Sequence, residues 1–132
     1  MSYRNIGLMF VVAGSVAFGW ADSSEMTCVE GGNQLQLNFC AGDDFKKADG
    51  EMNALYKEQI NYLKDPAKTR LKQSQRAWIA FRDKACLYES GPQEESGSIW
   101  PMEMSRCLWQ HTKQRIEDLK SYVACRENGC PY

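Results

Sequence analysis

Residues 71–86 read LKQSQRAWIAFRDKAC, and this stretch decides the fold class. Leu71, Gln75, Trp78, Arg82 and Cys86 recur at steps of three and four, the period that stacks side chains on one face of an α-helix. The face has an unusual composition, because Gln75 and Arg82 flank Trp78. A helix that buries it takes polar groups inside, where each needs a partner. Just upstream, Asp65-Pro66 reads as an N-cap followed by proline at the first helical position, where the missing N–H is no loss. A helix is therefore expected from Pro66 to about Tyr88.

On its N-terminal side, Asn33 followed three residues later by Gln36 reads as a capping box. Leu37, Ala41, Phe45, Ala48, Met52, Leu55, Gln59 and Leu63 then hold one helical face, which predicts a helix over about 33–63. Gly42 costs about 1 kcal/mol relative to alanine in a helix interior, which leaves a kink there or a late start near Asp43 as the alternative to an unbroken helix. The short connection to Pro66 implies an antiparallel hairpin. Beyond Tyr88, residues 89–98 form a loop by composition, with Gly91, Pro92 and Gly97, and an acidic one through Glu89, Glu94 and Glu95. A third helix is expected from near Ser98, with Pro101 in its first turn and Leu108, Thr112, Ile116, Leu119 and Val123 as its stripe. Asn128-Gly129 and Pro131 end the chain's tail. No β-alternation of useful length and no internal repeat interrupts this pattern, so the expected fold is all-α, an up-down-up three-helix bundle stapled by disulfides.

The six cysteines, Cys28, Cys40, Cys86, Cys107, Cys125 and Cys130, set the compartment. Residues 1–21 carry one early positive charge, Arg4, an apolar run and a Gly19-Trp20-Ala21 ending, the pattern of a cleaved export signal. The run falls short of the ~20 apolar residues that a bilayer span needs. The expectation is a signal peptide at 1–21, a helical domain at 22–132, no membrane span after cleavage, and an exported, periplasmic or secreted protein. An even cysteine count in such a chain indicates disulfides. There is no C-x-x-C pair, and His111 has no ligand-spaced neighbour, so no metal and no other cofactor is expected. In an up-down-up bundle Cys28, Cys40, Cys86 and Cys107 gather at one end. Three pairings of those four stay open; Cys28–Cys40 and Cys86–Cys107 are favoured, leaving Cys125–Cys130 to close the tail. The formal net charge is −1, and loss of Arg4 with residues 1–21 takes it to −2, without the basic stripe of a nucleic-acid-binding domain.

Catalysis finds little support. His111 has no visible nucleophile and orienting acid beside it. Glu94-Glu95, Asp43-Asp44 and Glu117-Asp118 read as solvated faces, and no Gly-rich phosphate loop is present, so the chain is not expected to be an enzyme. Asp49, Asn53, Gln75, Arg82 and Arg115 fall on or beside the apolar stripes, which predicts an inter-helix polar network around Trp78. Among Tyr56, Tyr62, Trp100 and Trp109, Trp100 after Gly97-Ser98-Ile99 is the expected exposed anchor.

A resemblance joins these residues. Cys28, Asn38-Phe39-Cys40-Ala41, Phe45-Lys46-Lys47-Ala48-Asp49, Met52-Asn53 and Tyr56 resemble the first half of the LprI-like lysozyme-inhibitor domain. Leu71, Gln75-Arg76-Ala77-Trp78, Phe81-Arg82-Asp83, Cys86, Gly97-Ser98-Ile99, Cys107, Thr112, Arg115 and Leu119 resemble the second. The similarity spans about residues 28–122; the Cys125 and Cys130 pair and Gly42 depart from the pattern. The resemblance implies a bacterial secreted or envelope-associated protein and, as partner, a lysozyme-type muramidase. The expected working surface is the acidic loop with Glu89, Glu94, Glu95 and Trp100, complementary to a basic protein. The alternative is a non-inhibitory envelope module that binds another protein or a cell-wall fragment through a different face.

Overall fold

The computed structural model describes residues 27–29 and 31–130; the expected signal peptide at 1–21 lies outside them. Helices dominate, in the order α1 (Gln34–Tyr62), α2 (Ala67–Glu89), a single turn α3 (Gln93–Ser96) and α4 (Trp100–Ala124), with 3-10 turns at Gly97–Ile99 and Cys125–Glu127. Among the described residues there is no strand, and no helix is long and apolar enough to cross a membrane. The fold is all-α, with three long helices and three disulfides.

α1 begins where its capping box stands. Asn33 Oδ1 accepts from the Gln36 backbone N–H at 3.0 Å, and Gln36 Oε1 accepts from the Asn33 N–H at 2.9 Å, so two orphan donors of the first turn are satisfied reciprocally. The helix then runs through Gly42 without a break, matching the helix expected over 33–63 and without the kink or late start that Gly42 leaves open. The long apolar face on both sides of Gly42 outweighs a propensity cost of about 1 kcal/mol. α2 starts one residue later than expected: Pro66 occupies the cap position and Ala67 is the first helical residue. Asp65 holds that start from one residue further out, accepting from the Thr69 hydroxyl at 2.6 Å.

α1 and α4 run parallel and pack along most of their length, whereas α2 runs antiparallel to both and lies mainly against α4. Small Ala48 lets the first pair close over a core of Met52, Ile116 and Leu119, with Leu55, Tyr56, Trp78 and Tyr122 packed around it. Each large apolar side chain so buried contributes about 1.5–3 kcal/mol. α2 meets α1 through the long side chains of Gln75 and Arg82, not through close backbone approach.

The connection from α2 to α4 is more ordered than its composition suggests. Instead of an irregular loop over 89–98, α2 continues to Glu89 and α3 adds one turn, while α4 starts at Trp100, straight after the 3-10 turn Gly97–Ile99 and close to the expected start near Ser98. Gly91 and Gly97 have φ of +67° and +59°, left-handed values that explain glycine at both bends. The Cys86–Cys107 disulfide ties α2 to α4 beside this connection, Cys28–Cys40 folds the lead-in onto α1, and Cys125–Cys130 closes the tail.

Candidate functional site

The interior of the bundle is organised by two polar residues of α2, each touching all three long helices. Arg82 donates from Nη1 to Asp49 Oδ1 on α1 at 3.1 Å and to Thr112 Oγ1 on α4 at 3.3 Å, and from Nε to Asp83 Oδ1 at 2.9 Å. Two turns earlier, Gln75 accepts from Arg115 Nε on α4 at 3.0 Å, and its amide nitrogen lies 3.6 Å from Met52 Sδ on α1. Trp78 sits between them, with the guanidinium carbons of Arg82 and Arg115 5.2 and 5.8 Å from its ring centre. Phe45 lies 5.3 Å from Arg82, and Tyr122 5.7 Å from Arg115. Asn53 donates to Asp49 Oδ2 at 2.9 Å, orienting that carboxylate. The structure thus brings Asp49, Asn53, Gln75, Trp78, Arg82 and Arg115 together. Buried guanidinium groups are tolerable because their planar forks are hydrogen-bonded at the edges and stacked on aromatic faces.

The acidic end is built differently. Trp100 is half-buried, and its indole N–H donates to the Gly91 carbonyl at 2.9 Å. It is therefore a brace for the connection and not the expected exposed anchor: a large amphipathic ring beside a tight turn gains more from packing and one hydrogen bond than from standing in water. Ser96 Oγ donates to the Pro92 carbonyl at 3.0 Å, closing α3. Glu94 and Glu95 lie exposed in that single turn, without an ion pair among the described residues. Glu89 faces elsewhere: Oε1 lies 3.2 Å from His111 Nε2, and Oε2 lies 3.3 Å from Cys107 Sγ. The four residues expected to form one surface are divided into two exposed acids, one brace and one partner of His111.

Sequence reasoning missed the aromatic at this end. Tyr88 is 89% exposed, next to Leu87 at 55%. Its position off the stripe of Gln75, Trp78, Arg82 and Cys86 was the available signal. A second cluster was also missed: at the opposite end, Arg126 donates to Gln59 Oε1 at 2.8 Å and to Glu58 Oε1 at 3.0 Å, over the Tyr62 ring at 4.4 Å. Nothing in local spacing joins residues 67 positions apart.

Two clefts open on the surface. One of about 250 Å³ is lined by Gln59, Leu63, Ala67, Leu71 and Tyr122, and one of about 480 Å³ by Leu37, Cys40, Asp44, Arg106 and Trp109. Neither lining brings two carboxylates together among the described residues, the arrangement that acid–base cleavage of a sugar bond requires.

Fold and interior define a class: small, disulfide-braced helical proteins in which two buried arginines flank a tryptophan packed against an apolar core. Within that class the chain belongs to the lysozyme inhibitor LprI family, whose family model matches residues 26–119. It is similar to an uncharacterised protein of Rhizobium meliloti, 32% identical over 82% of this chain and 86% of that one. It is also similar to the uncharacterised protein YecT of Escherichia coli, 29% identical over 65% of this chain and 62% of that one. No solved structure matches the chain. The family takes its name from inhibition and not from catalysis.

Proposed function

We propose that this protein is an exported binding protein that inhibits a lysozyme-type muramidase, and that it does so through the α2–α4 connection. The observation that carries the reading is a rigid acidic and aromatic tip. Exposed Glu94 and Glu95 stand on a one-turn helix that follows the highly exposed Tyr88 in the chain, on a connection fastened by Cys86–Cys107 and by the Trp100 hydrogen bond to Gly91. Preorganised aromatics are favoured anchors at protein interfaces, because little conformational freedom is lost on binding. Exposed acids at the tip, without an ion pair among the described residues, are complementary to a basic enzyme and speed encounter with it. Family membership supports the class of target, and three disulfides support an oxidising compartment.

The test is a cell-wall turbidity assay with a c-type lysozyme. Slowed lysis is expected with the oxidised protein, and the variant Glu94→Lys/Glu95→Lys, with Tyr88→Ala alongside, is expected to lose at least tenfold in potency while unfolding at the wild-type temperature. Undiminished lysis at large molar excess would overturn the inhibitory reading. A second reading, a non-inhibitory envelope module, draws on exposed Leu35 and Phe39, one turn apart on α1 and on neither acidic tip nor core. It predicts full lysozyme activity together with an envelope partner whose capture depends on those two residues.

A further inference from the structure

The Cys86–Cys107 bridge, which fastens the proposed inhibitory tip, also sits within a cluster of metal-type donors. Cys86 and Glu89 are three residues apart on α2, and Cys107 and His111 four apart on α4, so each pair lies on one helical face at the seam between the two helices. Cys86 Sγ, Cys107 Sγ and a ring nitrogen of His111 all lie within 4.8 Å of one another. Glu89 completes the group, 3.2 Å from His111 Nε2 and 3.3 Å from Cys107 Sγ. His111 is expected from the sequence to lack a ligand-spaced neighbour, but Cys107 stands four residues before it on α4, and the fold adds Cys86 and Glu89 from the second helix.

These separations suit a tetrahedral cation. With zinc–sulfur bonds of about 2.3 Å and zinc–nitrogen or zinc–oxygen bonds of about 2.0–2.1 Å, neighbouring donors of a tetrahedron stand about 3.3–3.8 Å apart. The two Glu89 distances, one from each carboxylate oxygen, fall close to that edge, and the two sulfurs and the His111 nitrogen lie within 4.8 Å of one another. Only the two sulfurs, joined to each other, are unable to coordinate.

We propose that reduction of Cys86–Cys107 converts this cluster into a four-coordinate site for zinc or a similar borderline divalent cation, with Cys86, Cys107, His111 and Glu89 as ligands. A dithiol reductant delivers two electrons and two protons to the bridge, closes to its own disulfide and leaves two thiols. Cation binding then releases both thiol protons to solvent, and two thiolates, one neutral imidazole and one carboxylate bind the ion. Sulfur donors select the zinc class over magnesium or calcium. Cys86 and Cys107 are buried, which keeps water from the sulfur side, while partly exposed His111 and exposed Glu89 leave an entry path.

The purified protein, reduced by a phosphine without oxygen and titrated with cobalt(II) as probe, is expected to show sulfur-to-cobalt charge transfer and a tetrahedral ligand-field spectrum at one equivalent, whereas the oxidised protein shows neither. Zinc is expected to displace the cobalt. His111→Ala and Glu89→Gln, both at the rim, are expected to weaken zinc binding by at least ~10-fold in competition with a chromophoric chelator. A variant with serine at residues 28, 40, 125 and 130 is expected to keep the spectrum if circular dichroism shows it folded. No tetrahedral spectrum in the reduced wild type overturns the proposal, as does a spectrum and affinity indifferent to both His111→Ala and Glu89→Gln, since the ion would then sit on other cysteines. Lysozyme inhibition is read on the oxidised protein, so the two outcomes are separable.

Discussion

Arg82 is the residue on which the three long helices converge, and its chemistry is specific. Its edge satisfies Asp49, Asp83 and Thr112, and its face lies against Phe45 and Trp78. Asp49 and Asp83 keep part of their surface in water, but Thr112 is fully buried and loses a hydrogen-bond donor if the guanidinium goes. Arg82→Met is therefore expected to lower stability by about 2–4 kcal/mol, measured by urea unfolding. Arg82→Lys should recover less than half of that, because an ammonium reproduces neither the planar fork nor the stacking. A recovery to wild-type stability would mean that charge alone matters. Asp65 offers a pH-dependent contrast on the surface. The hydrogen bond from the Thr69 hydroxyl holds its carboxyl below the ordinary value of 3.8. A carboxyl depressed in the folded state contributes stability above its unfolded pKa, and that contribution disappears as pH falls through the folded one. Thr69→Val is expected to raise the Asp65 midpoint toward 3.8, read from its carboxyl carbon by NMR, and to flatten the acid limb of the stability profile between the two values.

At the scale of the element, α1 carries two glycines that its backbone does not need. Gly42 and Gly50 lie inside the helix, and an added Cβ would meet nothing within 4 Å at either position. Gly42→Ala and Gly50→Ala are each expected to stabilise by about 0.5–1 kcal/mol, as a rise in the thermal midpoint, mainly by restricting the unfolded chain. A fall at Gly50 would indicate that this face contacts something in the folded protein. Helix α1 was legible in the sequence almost to the residue, because its capping box and its 3.6-residue period are both encoded within a few positions. The α2 start and the 89–98 connection were read less well. Asp65 acts from one position outside the expected cap, and the turn of α3 is held by Trp100 and Ser96, whose partners Gly91 and Pro92 become visible only once the chain bends back.

For the whole molecule, the three crosslinks do not contribute equally. Cys86–Cys107 spans 21 residues and Cys125–Cys130 spans five, so the chain-entropy model gives about 3 kcal/mol for the first and about 2 for the second. The double alanine variant at 86 and 107 should accordingly have the lower midpoint in urea, and should also lose inhibition by freeing the acidic tip. The inhibitory reading has an electrostatic counterpart at the same scale. Raising ionic strength from ~0.05 to ~0.5 M is expected to slow association with a basic lysozyme more than it speeds dissociation, measured by surface plasmon resonance, since screening acts on encounter across several ångströms. An association rate independent of salt would place the contact away from Glu94 and Glu95.

The sequence by itself determined what is local or compositional: three long helices, the capped start of α1, the apolar stripes with Gln75 and Arg82 embedded in them, and a cysteine content suited to disulfides. Each follows from hydrogen bonds, periodicity or counts that a few neighbouring residues decide. The tertiary structure alone decided which sulfurs meet, that Trp100 turns inward while Tyr88 stays in water, that Gln59 and Arg126 pair across 67 positions, and that Glu89 joins His111 beside a disulfide. Those outcomes depend on the relative register of packed helices. That register is set by the sum of many weak contacts and by the need to pair every buried charge, so no short stretch of the chain carries it.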